Sequence, residues 1–144
     1  MKMGLGINIF LLWGTCQDIK KKKINNTYLI TGGILGGIFN IVKIGEGNFF
    51  FGQWLMALLP GVVFLIFAKM TKEKIGLGDG MVLLVLGNFC NIGEVCIILQ
   101  AALMFLIIVS TVLWCSRKVS GDYRIPFLPF LWISHTLLWR LGYV

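Results

Sequence analysis

Charged residues are scarce in this 144-residue chain, which has six Asp and Glu and 13 Lys and Arg. They make up only 13% of the sequence, whereas 58% of it is hydrophobic. A soluble domain of this size could not bury so much apolar surface in one core. The composition therefore excludes an ordinary soluble domain and predicts a protein for which lipid is the main solvent. The net charge of +7 then reflects orientation in the bilayer rather than binding to nucleic acid.

Histidine is also scarce, and closely spaced pairs of cysteines are lacking. The single histidine, His135, has no partner set for a metal site or for a Ser/His/Asp triad. The four cysteines form no CxxC pair and have neither zinc-ligand spacing nor the pattern of a disulfide framework. We expect no metal site, a structural role for His135, and small buried apolar residues at Cys16, Cys90, Cys96 and Cys115.

Apolar segments follow one another along the whole chain. Six can be drawn, at residues 3–19, 27–44, 49–70, 77–92, 93–115 and 125–143. A helix needs about 20 apolar residues to cross a bilayer, a length that the third, fifth and sixth segments reach and the fourth falls short of. No hydrophilic domain flanks them. The sequence therefore predicts a single membrane-embedded domain over residues 1–144, an all-α integral membrane protein with a bundle of about six transmembrane helices.

Basic residues predict the orientation of these helices. If all six segments cross, ten of the 13 basic residues fall on one side, namely residues 20–23, Lys69, Lys72, Lys74, Arg117, Lys118 and Arg124. Cytoplasmic loops collect Lys and Arg, so this side is predicted to be cytoplasmic. Asp18 and Asp79 then both lie at the cytoplasmic ends of their helices.

These two aspartates are the strongest functional signal. A charge at membrane depth costs roughly 2.5–3.5 kcal/mol, so a membrane protein that keeps carboxylates beside its spans usually uses them. Two carboxylates that share a proton can hydrolyse a peptide bond without a metal, because like charges held close keep one group protonated. The ionised group takes a proton from water, and the protonated group polarises the scissile carbonyl. Near Asp79, the glycines Gly76, Gly78 and Gly80 leave room for an extended substrate backbone.

Each aspartate also has a structural interpretation. Asp79 follows a glycine-rich turn and precedes an apolar run, a pattern typical of a helix N-cap. Asp18 adjoins the lysines at 20–23 and is compatible with a solvated residue at the membrane interface. The glycines at 32, 33, 36 and 37 give the second segment two Gly-xxx-Gly spacings, which predict a packing face.

Three motifs, in this order along the chain, resemble the type IV prepilin leader peptidase family. Asp18 is followed by Ile24-Asn25-Asn26, at the interval where the family has Ile-Pro-Asn. Residues 76–79 read Gly-Leu-Gly-Asp and match the GxGD signature of intramembrane aspartyl peptidases. Residues 125–131 read Ile-Pro-Phe-Leu-Pro-Phe-Leu and are similar to the family's Pro-Phe-x-Pro-Phe-Leu stretch.

The resemblance implies that Asp18 and Asp79 are the catalytic pair, and it places Asn26 among the residues that shape the site. Pro126 and Pro129 are expected to start or bend the last helix and to shape the cytoplasmic mouth of the bundle.

Two positions depart from the family pattern. Asn25 stands where the family usually has proline. Met81, two positions after the aspartate of GxGD, stands where the family usually has lysine. Neither change removes a carboxylate, so they bear on efficiency and substrate choice more than on the reaction. The sequence also resembles the minimal form of the family, without the N-terminal region that carries paired CxxC motifs in longer members.

The resemblance further implies a substrate and a location. The chain is expected to be an aspartic endopeptidase of the bacterial inner membrane that removes the short basic leader of type IV prepilin-like or pseudopilin proteins at the cytoplasmic face. Its expected partners are these substrates and membrane lipid, not nucleic acid. Peptide hydrolysis is expected to need no cofactor. S-adenosylmethionine is expected only if the chain also methylates the new N-terminus, as many relatives do.

A different class of function stays open. A non-enzymatic membrane subunit or small transporter would use the same acids for ion coupling or helix docking. A transporter should show inverted repeats or helices interrupted near mid-membrane, and no internal repeat stands out in the sequence. A third interpretation, a peptidase fold with impaired activity, rests on Asn25 and Met81. The three motifs favour the active peptidase over both.

Overall fold

The computed structural model describes residues 3–21, 24–47, 50–71, 76–116 and 125–143. All regular structure in these residues is helical, which confirms the all-α prediction. There are six helices in this part of the chain: α1 (Met3–Lys21), α2 (Asn26–Gly45), α3 (Phe51–Met70), α4 (Leu77–Gly87), α5 (Ile92–Cys115) and α6 (Leu128–Arg140).

Three of these helices, α2, α3 and α5, are long and apolar enough to cross a membrane. Fewer than a quarter of the residues in the apolar window of each are buried, and the exposed ones include large apolar side chains such as Ile34, Ile66 and Ile107. Surfaces of this kind are stable in lipid rather than in water. The chain is therefore a membrane protein with at least three candidate spans among its described residues.

The crossing of all six segments stays a prediction. With 11 residues, α4 is about 16 Å long and therefore shorter than the roughly 30 Å hydrocarbon core of a bilayer. It ends at Gly87, five residues before the predicted end of the fourth segment, because a turn follows at Asn88. The last helix, α6, begins at Leu128 and has only 13 residues. The orientation also stays a prediction, since Lys22, Lys23, Lys72, Lys74, Arg117, Lys118 and Arg124 lie outside the described residues.

The chain divides into two compact units, one of Met1–Lys22 with Ile97–Val144 and the other of Lys23–Cys96. In the first unit, α1 and α6 are antiparallel. A side chain added at Gly4 would overlap the Trp139 ring, and Asp18 contacts Leu128, so residue numbers rise along α1 as they fall along α6. Four large apolar side chains of this pair are buried: Ile7, Leu11, Leu128 and Leu131.

The second unit is built around α4, whose residues from Gly80 to its end are mostly buried. Gly80 packs on Leu65, and Gly87 packs on the backbone of Ala57, so α3 and α4 are antiparallel and in close contact. Small residues allow such an approach, which is the usual basis of helix association in membranes.

The packing face predicted on α2 is present, but only one of its two Gly-xxx-Gly pairs forms it. Gly32 and Gly36 are buried, and Gly36 lies against the side chain of Asn88. Gly33 and Gly37 point into open space. The two pairs are one residue apart and therefore about 100° apart around a helix, so a single neighbour covers one pair only.

Asn88 links three helices of the second unit. Its Oδ1 accepts hydrogen bonds from Asn40 Nδ2 on α2 (3.2 Å) and from Trp54 Nε1 on α3 (3.1 Å), and its Nδ2 donates to the Leu84 carbonyl on α4 (3.0 Å). Hydrogen bonds between helices are directional, whereas apolar contacts are not. This side chain therefore fixes how α2, α3 and α4 meet.

The cysteines only partly match the expectation of burial. Cys90 is buried, whereas Cys16, Cys96 and Cys115 are exposed, and all four are free thiols. An apolar run on a membrane helix leaves some small residues on the outer surface, since lipid accepts them as readily as a protein core does.

Candidate active site

Asp18 lies near the C-terminal end of α1 and is buried, with 6% of its surface exposed. Its Oδ2 accepts a hydrogen bond from the backbone N–H of Leu128, at 3.2 Å. The alternative of a solvated interface residue beside the lysines is therefore wrong. The carboxylate points into the first unit, at the start of α6.

The start of α6 explains why a carboxylate is held there. Leu128 is the first helical residue, and the N-cap, Phe127, provides no side-chain cap. Pro129, at the second position, has no N–H to satisfy. Asp18 therefore supplies an acceptor to an otherwise orphaned N–H, and its carboxyl group lies at the positive end of the helix dipole. Pro129 lies in the first turn of the last helix, as predicted, whereas Pro126 precedes the N-cap and lies outside α6. That the two prolines shape the mouth of the bundle stays a prediction.

Asp79 lies in the first turn of α4 and is half-buried. The N-cap is Gly76, and the N–H of Asp79 donates to the Gly76 carbonyl at 3.1 Å. Asp79 is therefore the third helical residue and not the N-cap that the sequence pattern suggested. An acidic side chain in the first turn is favourable because the unpaired N–H groups there carry partial positive charge.

The glycines around Asp79 pack against the second unit itself. A Cβ on Gly78 would lie 2.8 Å from Ile24 Cδ1, and a Cβ on Gly80 would lie 2.9 Å from Leu65 Cδ2 and 3.1 Å from the Leu65 backbone N. Gly76 is buried as well. These contacts explain the glycines by close packing around the first turn of α4. A role beside a substrate backbone stays a prediction.

Residues 24–26 lie at the same end of the second unit as Asp79. The side chain of Ile24 covers Gly78, and α2 runs parallel to α4, since Gly36 lies against Asn88 further along both helices. Asn26 is the first residue of α2 and is exposed. The structure thus brings together two of the motifs that were recognised separately in the sequence.

Asn25 shows how the chain tolerates the absence of the family's proline. It is the N-cap of α2, with φ −74° and ψ 136°, and its Oδ1 accepts from the N–H of Thr27 at 3.4 Å. Proline begins a helix by fixing φ near −65°, whereas asparagine does so by accepting a hydrogen bond from the first turn. Asparagine and proline can therefore both begin a helix, each by a different means.

The cap predicts that Asn25→Pro is tolerated, because the observed φ is already in the range of proline. We expect the free energy of unfolding of this variant to be within about 1 kcal/mol of that of the wild type. Asn25→Ala, which has neither the cap nor the restricted φ, should lose about 1 kcal/mol. Thermal unfolding of the three proteins in one detergent tests this. A larger loss in Asn25→Pro than in Asn25→Ala would contradict it.

Each unit therefore holds one of the two candidate aspartates and its surroundings. In the first unit, Asp18 meets the proline-containing start of α6. In the second, Asp79 follows a glycine turn covered by Ile24. Met81, where the family usually has lysine, is 41% exposed on α4, so a lysine at this position would not have to enter the core.

Comparison with known proteins agrees with the motifs. A model of the type IV leader peptidase family matches residues 5–115. The chain belongs to this leader peptidase family. The match includes Asp18, residues 24–26 and the Gly-Leu-Gly-Asp turn, and it ends before residues 125–131. Membership in the leader peptidase family indicates a membrane-embedded protease. No curated protein and no solved structure gives a significant match to the chain.

Sequence reasoning missed the polar contacts inside the leader peptidase fold. Asn8 of α1 bonds to α6, and Asn88 joins three helices of the second unit. A signal was present, since polar side chains within apolar membrane segments are rare and usually have partners. The partners themselves are far apart in the chain, so the sequence alone could not identify them.

Proposed function

We propose that this protein is an aspartyl endopeptidase that removes the short basic leader of type IV prepilin-like proteins at the cytoplasmic face of the bacterial inner membrane, with Asp18 and Asp79 activating water. One observation carries the proposal. Each of the two carboxylates lies in a motif of the family, and each is held at the N-terminus of a helix, Asp18 through the N–H of Leu128 and Asp79 within the first turn of α4.

Helix N-termini suit a pair of catalytic carboxylates. Two like charges repel when they share a site, and the partial positive charge of a helix N-terminus offsets part of that cost for each group. The pair then shares one proton, so that one member accepts a proton from water while the other donates a hydrogen bond to the scissile carbonyl. Titration of such a pair belongs to both residues together.

The substrate is proposed on the same physical grounds. A prepilin-like protein has a basic leader followed directly by an apolar helix. The leader stays in water, and the helix packs laterally against exposed apolar spans such as α2 and α5. The scissile bond then lies at the boundary between them, at the depth proposed for the two aspartates. Recognition rests on helix packing and backbone contacts, since basic loops would repel a basic leader.

Cleavage of a co-expressed prepilin-like substrate tests the proposal. Wild-type protein should shorten the substrate by the length of its leader, as measured by intact mass. Asp79→Asn keeps the shape of the side chain but cannot ionise, and we expect it to lower the rate by about 10²–10⁴-fold. Glu46→Gln is the matched control, because it neutralises an exposed carboxylate outside the three motifs.

The outcomes separate the possible functions. Loss of processing in Asp79→Asn, at equal protein level and with an active Glu46→Gln, supports the aspartyl peptidase. Processing that persists in Asp79→Asn contradicts the paired-acid mechanism. A wild-type protein that processes none of several prepilin-like substrates favours the non-enzymatic interpretation or the impaired peptidase.

A further inference from the structure

A partly buried polar cluster lies between α1 and α6, away from Asp18. Asn8 Oδ1 accepts a hydrogen bond from the Thr136 hydroxyl at 2.6 Å and lies 3.2 Å from His135 Nδ1. His135 is fully buried, and so is its neighbour Ser134. Asn8 is on α1 and the other three residues are on α6, so the cluster joins the same two helices that Asp18 and Leu128 join.

The hydrogen bonds of this cluster form at only one position of α1 relative to α6. Because Asn8 Oδ1 can only accept, His135 Nδ1 carries the proton and donates to it. Displacing the helices would leave the Asn8 amide oxygen and the imidazole N–H without these bonds in an apolar interface, whereas the Thr136 hydroxyl would keep only the Trp132 carbonyl of its own helix. A polar group left unpaired there has lost its water without gaining a partner, which is unfavourable. Apolar contacts between α1 and α6 are non-directional and impose no such penalty on sliding.

A displacement of α1 along α6 would affect the cluster and the Asp18 contact together. Asn8 and Asp18 are ten residues apart on α1, which corresponds to about 15 Å along a helix. Their partners on α6, Thr136 and Leu128, are eight residues apart, or about 12 Å. A shift of α1 by one helical turn, about 5.4 Å, would break the bond from Asn8 to Thr136 and the bond from Asp18 to Leu128 together.

We propose that Asn8, His135 and Thr136 form a register lock that positions Asp18 at the N-terminus of α6. These three are positioning residues, since their effect on the reaction passes through Asp18. The effect on cleavage rests on the proposed function, whereas the effect on the Asp18–Leu128 contact does not. The two can therefore be tested separately.

The first test needs no substrate. The purified full-length protein is analysed by hydrogen–deuterium exchange in detergent, and the deuterium uptake of the Leu128 amide is followed in peptides that cover residues 125–132. Thr136→Val keeps the shape of the side chain and removes the hydroxyl, so it should increase the exchange rate of this amide about tenfold. Thr136→Ser, which retains the hydroxyl, should restore protection.

Thr111 provides a matched control. Its hydroxyl donates to the Ile107 carbonyl at 2.8 Å, four residues back on α5. The single proton of the Thr136 hydroxyl is shared between Asn8 Oδ1 and the Trp132 carbonyl, which lies 2.8 Å away and four residues back on α6. Only Thr136 also reaches another helix. Thr111→Val should therefore leave the exchange of the Leu128 amide unchanged, which isolates the contribution of the interhelical bond.

The second test measures cleavage of a prepilin-like substrate. Displacement of the Asp18 carboxylate should slow the chemical step more than it weakens substrate binding. Thr136→Val should therefore lower kcat by about 10–100-fold and change KM by no more than about twofold. Thr136→Ser should recover most of the rate. Asn8→Ala removes the other side of the same bond, so its effect should not add to that of Thr136→Val in the double variant.

The results decide between the two proposals. Unchanged exchange at Leu128 in both Thr136→Val and Asn8→Ala overturns the register lock, and so does an unchanged kcat in an active wild-type background. Faster exchange in both variants, in a protein that cleaves no prepilin-like substrate, supports the lock and contradicts the proposed function. If Thr136→Val does not fold, Asn8→Ala and Thr136→Ser provide the same comparison.

Discussion

Replacement of Asp18 by asparagine should give a folded protein that no longer cleaves its substrate. The side chain of asparagine keeps an oxygen acceptor at the position of Oδ2, so the N–H of Leu128 remains satisfied. It has no ionisable proton, so it cannot take the part that the proposed mechanism gives to Asp18. We expect cleavage to fall by about 10²–10⁴-fold and thermal stability to stay close to that of the wild type.

Comparison with Asp18→Ala separates the proposed catalytic role of this carboxylate from its contact with α6. Alanine removes the acceptor as well as the charge, so the N–H at the start of α6 loses its partner. Loss of a helix cap costs about 0.5–2 kcal/mol, and this loss should appear as a lower unfolding temperature in Asp18→Ala but not in Asp18→Asn. Both variants should be inactive.

The measurements are the cleavage rate of a prepilin-like substrate and the unfolding temperature in one detergent. The expected result is that both variants are inactive and that only Asp18→Ala has a lower unfolding temperature than the wild type. If Asp18→Asn cleaves at the wild-type rate, the carboxylate is structural and the paired-acid mechanism is wrong. If both variants are equally stable, the bond to Leu128 contributes nothing to the fold.

Substitution of Gly87 by alanine should destabilise the contact between α3 and α4. A Cβ at this position would press on the carbonyl oxygen of Ala57 and lie 3.0 Å from its carbonyl carbon. These are backbone atoms, which cannot rotate away as a flexible side chain would. Forcing such groups into a packed interface costs about 1–3 kcal/mol, so the unfolding temperature should fall clearly.

Gly37→Ala is the matched control for Gly87→Ala. Gly37 lies within α2, and a Cβ there would meet no other atom within 4 Å. Alanine is favoured over glycine in a helix by up to about 1 kcal/mol, so this variant should be as stable as the wild type or slightly more so. Equal stability of the two alanine variants would mean that α3 and α4 separate easily and that Gly87 does not hold them together.

Much of the fold was predictable because the signals are local. The lengths of the apolar runs placed all six helices to within a few residues, apart from the shortening of α4 and α6. The GxGD turn identified Asp79. Asp18 could be identified independently, since each motif is recognised from a few neighbouring residues. The roles of Asp18 and Asp79 in catalysis are still a proposal, because a motif establishes which groups are present but not what they do.

The sequence alone determined the membrane class, the all-helical fold, the family and the two candidate carboxylates, because composition, hydrophobic run length and short motifs are properties of neighbouring residues. Only the tertiary structure decided that Asp18 is buried at the start of α6, that Ile24 covers Gly78, and that Asn8 bonds to Thr136. The paired residues in these contacts are separated by 110, 54 and 128 positions. Contacts over such distances depend on how helices pack, and packing is set by the shapes of all the side chains together rather than by any local pattern.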